Sequence, residues 1–204
     1  PMQARAKLSE EDDSAPKVDE CYYRSLIGCL MYLTASRPDI VQTVNFLSRF
    51  LHCANEEYLQ AAKHVVRYIK GTIHYAVKYA SGQGLHLTGF ADSDWAGAID
   101  DMKSTTGFSF MFGSGVFNWC SKKQDITAQS TAEAELVAAT EAANHAIWLR
   151  KILKDLNLEQ HEATQIFVEN EAAISISIKP VFHGRTKHFK IKYMLSENFR
   201  IKER

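Results

Sequence analysis

Between Tyr79 and Leu85 the chain changes its hydrophobic period, and this change limits the folds open to it. Upstream, Ile40, Val44, Leu47 and Leu51 recur at helical spacing, as do Leu59, Ala62, Val66 and Ile69, each set with polar residues opposite. Pro38 stands at a helix start and Gly71 at a helix end. The stretch from Tyr22 to Tyr79 is therefore expected to be a small helical unit. Ser81-Gly82-Gln83-Gly84 interrupts the pattern and marks a boundary.

Beyond it the residues read as strands. Leu85 to Asp92, Gly107 to Phe112 and Val116 to Cys120 are short, aromatic and β-branched, with Gly113-Ser114-Gly115 joining the last two as a hairpin. Ser130-Thr131-Ala132-Glu133 has capping-box spacing and opens a helix with Leu136, Ala139 and Ala143 on one face, continuing from Ala146 to Leu156. Thr164 to Glu169 reads as a further strand and Glu171 to Ile178 as a short helix. A strand meander followed by helix, strand and helix predicts an α/β arrangement with a mixed sheet.

Composition narrows the function classes. The chain has 204 residues, 46% of them hydrophobic, enough for a full core. Lys plus Arg and Asp plus Glu are 24 each, so no global basic field attracts nucleic acid and any such binding rests on local patches. Cys21, Cys29, Cys53 and Cys120 occur singly with no Cys-x-x-Cys pair, which speaks against disulfide frameworks and zinc sites. No apolar run approaches the ~20 residues of a membrane span and no signal-peptide pattern opens the chain, so an intracellular protein, cytoplasmic or nuclear, without membrane contact is expected. Residues 1–20, with Glu10, Glu11, Asp12 and Asp13 in a row, have little to bury and are expected to be disordered.

Three acids stand out. Asp92 and Glu169 end strand-like segments, and Glu135 lies in the first turns of a helix. Ordinary roles compete for each: Asp92 as a turn or helix cap, Glu133 as the capping-box partner, and first-turn acids as complements of the helix dipole. Glu135 is left without such a role, beside Ala138, Ala139 and Ala142, where an uncompensated buried carboxylate is costly. Two strand-end acids and a helix acid together make an oxygen donor set suited to Mg²⁺. Two such ions about 4 Å apart activate a water and stabilise the leaving oxygen of a phosphodiester. Trp95, Trp119 and Trp148 are read as core, and His52, His64 and His74 as ordinary surface or interface residues.

The ordered series Tyr23-Arg24-Ser25-Leu26-Ile27-Gly28, Ser36-Arg37-Pro38-Asp39-Ile40, Arg67-Tyr68-Ile69-Lys70-Gly71-Thr72, Ala91-Asp92-Ser93-Asp94-Trp95-Ala96-Gly97, Lys103-Ser104-Thr105-Thr106-Gly107, Trp119-Cys120-Ser121-Lys122-Lys123-Gln124, Ser130 to Glu135 and His183-Gly184-Arg185-Thr186-Lys187-His188 resembles the C-terminal part of copia-type LTR retrotransposon polyproteins. The resemblance implies an α/β RNase H-like fold, a five-stranded mixed sheet flanked by helices, preceded by a small helical segment. It divides the chain into a disordered acidic segment (1–20), a connection- or thumb-like tail of the reverse transcriptase (21–80) and an RNase H-like domain (81–204). The polymerase's own Tyr-x-Asp-Asp region is absent.

The implied activity is Mg²⁺-dependent hydrolysis of the RNA strand of RNA–DNA hybrids by a two-metal mechanism, with Mn²⁺ as an alternative cation. Asp92, Glu135 and Glu169 match the catalytic, metal-holding positions. Lys122, Lys123, Arg185, Lys187 and His188 are implied substrate contacts, within two basic clusters suited to phosphates. The implied partners are an RNA–DNA hybrid and the reverse transcriptase portion of the parent polyprotein. Two departures stand out. Glu169 occupies a position where the family usually has aspartate, and Lys190 one where many relatives carry an acid, with Asp94 or Glu197 as substitutes. They define an alternative, a catalytically weak or inactive co-opted module that binds nucleic acid or a protein partner.

Overall fold

In a computed structural model, the structure describes residues 15–81, 84–178 and 199–203. The chain divides into two compact units, one running to Ala76 and including Ala98–Met102, the other comprising Val77–Gly97 and Lys103 onward.

The first unit is helical. Helix α1 (Glu20–Leu33) starts where Asp19 accepts hydrogen bonds from the amides of Cys21 (2.8 Å) and Tyr22 (3.4 Å), and it buries Tyr23, Ile27 and Leu30 along one stripe. A 3-10 turn at Pro38–Ile40 leads into α2 (Val41–Leu47), and α3 (Glu56–Gly71) begins at Asn55, whose side chain accepts from the Tyr58 amide at 3.0 Å. Ahead of α1, the Val18 amide donates to the Ala54 carbonyl (3.3 Å) and the Pro16 carbonyl accepts from the Glu56 amide (2.9 Å). The expected faces hold except at α3, where Val65 is buried and Val66 exposed, because Tyr58, Leu59, Ala62 and Val65 define the packed side. The helical pattern also stops earlier than expected: after Gly71 the chain leaves the helix, and Ile73, Tyr75, Val77 and Tyr79 are exposed. The Tyr23 hydroxyl donates to the Leu47 carbonyl at 3.0 Å inside this core, and burial raises its pKa.

The second unit is built on a five-stranded mixed sheet in the order β3-β2-β1-β4-β5. Strands β1 (Leu87–Ser93), β2 (Thr105–Phe112) and β3 (Gly115–Lys123) form an antiparallel meander, while β4 (Thr164–Val168) and β5 (Phe199–Glu203) run parallel to β1. The turn between β2 and β3 uses Gly113 at φ 62°, a conformation that glycine adopts without the Cβ penalty. Gly89 is required for a different reason. A Cβ there would lie 2.7 Å from the Phe110 ring and 3.3 Å from Ile166, both fully buried neighbours on the flanking strands.

The two predicted helical stretches after Ser130 form one helix, α4 (Thr131–Asp155). The Ser130 hydroxyl accepts from the Glu133 amide (3.2 Å), and the Glu133 carboxylate accepts from the Gln129 amide (2.7 Å), one residue before the partner a standard capping box uses. Its buried side is rich in small residues, Ala134, Ala138, Ala139, Ala142, Ala143 and Ala146, which lets the helix approach closely. Leu136, Ala139, Ala143, Leu149 and Leu153 share a core with Leu87, Ala91, Phe110, Ile166 and Val168 of the sheet. From within α4, Arg150 donates to the Glu162 carbonyl (2.8 Å) and Thr164 Oγ1 (2.9 Å) in the chain beyond it. Gln160 accepts from the Leu87 amide (2.9 Å) and donates to the Leu85 carbonyl (3.0 Å), fastening this connection to the start of β1. Helix α5 (Glu171–Ile178) follows β4.

Two tryptophans expected in the core are not there: Trp95 is 54% and Trp148 52% exposed. Each is held at one edge instead. The Trp95 indole N–H donates to the Ala128 carbonyl (3.3 Å), and the Trp148 ring lies 5.2 Å from the ring of His145. None of the four cysteines is in a disulfide.

Candidate functional site: an acidic cluster at the sheet rim

The parallel pairing of β1 with β4 sets two of the acids side by side. The register runs to Phe90 opposite Phe167, whose rings stack at 5.3 Å, and Asp92 and Glu169 each follow two residues later. Side-chain alternation along β1 buries Leu87, Gly89 and Ala91 and leaves Asp92 exposed. Immediately after Glu169 the chain turns away, because Asn170 accepts from the Ala173 amide (3.0 Å) and starts α5.

Glu135 comes from α4, on the face that carries Ala134, Ala138, Ala139 and Ala142, and it is only 7% exposed. One backbone group links it to the strand: the Ser93 amide donates to Asp92 Oδ1 at 2.8 Å and to Glu135 Oε1 at 3.1 Å. Glu135 Oε2 is buried and has no hydrogen-bond partner. Burial pushes the Glu135 carboxyl up from 4.5 to about 7, with the Asp92 charge next in importance. The Ser93 amide opposes the rise, while the closeness of the Asp92 carboxylate and the charge of Glu169 add to it. The structure thus brings Asp92 and Glu169 within electrostatic reach of Glu135. The carboxylates of Asp92 and Glu169 both work against ionisation of Glu135.

Among the described residues no three His, Cys, Asp or Glu side chains form a closed cation cage. Like charges without a counter-ion have no reason to close further. The donor set nevertheless suits a hard divalent cation: it is all oxygen, and its most buried member presents an oxygen that no protein donor satisfies. Asp94, considered as a substitute ligand, is engaged elsewhere. Its Oδ1 accepts from the Thr105 amide and its own amide donates to the Thr105 carbonyl (3.3 Å), so it caps the turn after β1.

Lys122 and Lys123 end β3, the strand at the edge of the sheet. Lys122 Nζ lies 3.5 Å from Asp125 Oδ2, an exposed pair of small energetic weight. The Lys122 charge also lowers the pKa values of Glu141 and Cys120, which burial raises in both cases. These partners of Lys122 thus lie outside the acidic trio. Arg185, Lys187, His188, Lys190 and Glu197 lie outside the described residues. Sequence reasoning passed over the Ser93 amide, since a main-chain donor leaves no mark on the sequence.

A three-stranded antiparallel meander with two further strands parallel to its first, and the long helix packed on the sheet, is the RNase H-like fold. No family profile matches the chain. It is 38% identical over 202 residues to the retrovirus-related Pol polyprotein of transposon TNT 1-94 from Nicotiana tabacum, covering 95% of this chain and 15% of that protein. The corresponding polyprotein of transposon RE1 from Arabidopsis thaliana is 36% identical over 198 residues, covering 97% of this chain and 13% of the relative. Among solved structures, LC11-RNase H1, isolated from compost, aligns with a TM-score of 0.39 at 12% identity, over 59% of this chain and 84% of that one. The chain belongs to the retrovirus-related Pol polyproteins of copia-type transposons. It spans less than a sixth of the length of these two relatives. No helix among the described residues is long and apolar enough to cross a membrane.

Proposed function

We propose that the second unit is a ribonuclease H module that hydrolyses the RNA strand of RNA–DNA hybrids, with Asp92, Glu135 and Glu169 as its catalytic carboxylates. The observation that carries this reading is the buried Glu135 carboxyl, pushed up to about 7 by burial and by the charges of Asp92 and Glu169, with one oxygen left unsatisfied. A fold does not keep such a group for stability, because a neutral residue of the same shape would cost less. Asp92, Glu135 and Glu169 would hold Mg²⁺ or Mn²⁺, which when bound supplies charge neutralisation at the scissile phosphate and an activated water. The protein's part is to hold the carboxylates in place: the Ser93 amide fixes one oxygen each of Asp92 and Glu135, and the β1/β4 register fixes the point from which Glu169 departs. Lys122, Lys123, Arg185, Lys187 and His188 are proposed to hold hybrid phosphates. The helical unit is proposed as the tail of the reverse transcriptase, the partner in the parent polyprotein.

The test is cleavage of an end-labelled hybrid with Mg²⁺ or Mn²⁺. Wild type is expected to cut the RNA strand, and Asp92→Asn and Glu135→Gln to lose at least about 100-fold, a loss in the range of catalytic-residue effects. No cleavage by wild type under conditions where a control enzyme cuts would remove the nuclease assignment.

A specific residue favours the second reading, a weak or inactive module that binds without cutting. Glu169 carries one methylene more than the aspartate usual at this position, and Mg²⁺ tolerates little departure from ligand distances of about 2.0–2.1 Å. Glu169→Asp raises turnover if the extra methylene is what limits it. Hybrid binding that persists without cleavage, and is unchanged in Asp92→Asn, selects the second reading.

A further inference from the structure

We infer that Gln124 is the positioning residue of the acidic cluster, the side chain that fixes the backbone from which Asp92 and Glu135 project. The inference rests on the nuclease reading above and assigns its support. Gln124 is 2% exposed, a primary amide sealed within the second unit where β3 ends. Its Nε2 donates to the Ala134 carbonyl at 3.0 Å, to Thr106 Oγ1 at 3.1 Å and, more weakly, to Ser93 Oγ at 3.4 Å. Its own backbone amide donates to the Ser104 carbonyl at 2.8 Å, which anchors it to the residue just before β2.

Two of these contacts fall on chain neighbours of the candidate ligands. Ser93 follows Asp92, and its amide is the donor shared by Asp92 and Glu135. Ala134 precedes Glu135. One amide group therefore clamps the end of β1 to the first turns of α4 through residues that are not themselves acids. The chemistry admits no other orientation. The Ala134 carbonyl can only accept, so the amide must present nitrogen to it. The Ser93 hydroxyl commits its hydrogen to the Asp94 carbonyl at 2.9 Å, leaving its lone pairs for Nε2. Gln124 Oε1, in turn, is buried with no partner. An amide retained in a buried site with its oxygen unsatisfied works through its nitrogen.

Carboxylates that repel one another drift apart unless their backbones are fixed, and groups behind metal ligands typically set 10–100-fold of cation affinity. None of the hydrogen bonds of Gln124 falls on a proposed ligand side chain, so it acts through Ser93 and Ala134. Methionine matches glutamine in length and removes the donor, so Gln124→Met isolates the clamp. Leu153→Ala, at the opposite end of α4 and with no contact to the cluster, serves as a control for lost thermal stability alone.

The experiment titrates Mg²⁺ into the full chain without nucleic acid, followed by calorimetry and by the shift in melting temperature, and then measures kcat and KM on a labelled hybrid. Gln124→Met is expected to weaken Mg²⁺ binding about 10–100-fold, with the KM for hybrid within about twofold of wild type, because KM for a phosphate-held substrate depends on the basic residues. Leu153→Ala is expected to keep wild-type Mg²⁺ binding despite a lower melting temperature. Wild-type Mg²⁺ binding in Gln124→Met, or equal weakening in Leu153→Ala, overturns the inference while leaving the nuclease reading standing. A wild-type chain that binds Mg²⁺ but cuts no hybrid overturns the nuclease reading, and the cation comparison still decides Gln124. A wild-type chain that binds no Mg²⁺ overturns both.

Discussion

Replacing Glu135 by glutamine should make the cation-free protein more stable at alkaline pH, although the same change removes a proposed catalytic group. The carboxyl is 7% exposed and pushed up from 4.5 to about 7. The folded chain therefore binds this proton more tightly than the unfolded chain does. The stability it confers is complete below about 4.5 and is lost as pH rises through about 7. At about 1.36 kcal/mol per pKa unit, the penalty for ionised Glu135 well above pH 7 has a ceiling of roughly 3 kcal/mol. Because the Ser93 amide compensates part of the charge, the gain expected from the neutral amide is about 1–2 kcal/mol. In a chain of this size that corresponds to roughly 2–8 °C in Tm. Thermal unfolding by circular dichroism in EDTA, at pH 8 and again at pH 5, measures it. The variant should exceed wild type at pH 8 by much more than at pH 5, where most of the carboxyl's contribution remains. Added Mg²⁺ should raise the Tm of wild type but not of the variant. A gain that is absent at pH 8, or equally large at pH 5, would show that the carboxylate is not under the electrostatic load inferred for it.

Other expectations are independent of the acids. His145 packs against the rings of Phe108 (5.0 Å) and Phe110 (5.8 Å), and burial lowers its pKa below 6.5. Its contribution is therefore complete above 6.5 and is lost as pH falls through the depressed value, so His145→Phe should lessen the loss of stability between pH 7 and pH 5, as read from urea midpoints. Tyr23→Phe removes the donor to the buried Leu47 carbonyl and should cost about 1–2 kcal/mol in urea unfolding. Gly89→Ala places a methyl 2.7 Å from the Phe110 ring and should cost about 1–3 kcal/mol by the same measurement.

Much of this organisation could be read from residue spacing. The period change at 81–84, the hairpin at Gly113 and the cap at Ser130 each have a local cause, and local causes leave local signatures. The failures have a shared origin in tertiary packing. Val66 and Val65 are equally apolar, and only the placement of the neighbouring helices decides which is buried. Trp95 and Trp148 carry the composition of core residues, yet each is anchored at one edge with its remaining surface in solvent. At the candidate site, Glu135 was legible because no helix-start role accounted for it. Its dependence on Ser93 and Gln124 was not, because a backbone amide has no letter of its own and a lone glutamine after two lysines reads as surface.

The pairing of Phe90 with Phe167 has a consequence for how this stretch of chain can change over time. Side chains alternate across a sheet with a period of two, so losing or gaining a single residue within β1 or β4 would swing Asp92 or Glu169 to the opposite face. Substitutions along these strands can be absorbed one at a time, whereas a one-codon slip would scatter the acids at once. Length variation among copies should therefore collect in the connections, at 94–104 and 156–163, and spare the two short runs that act as the ruler for the site.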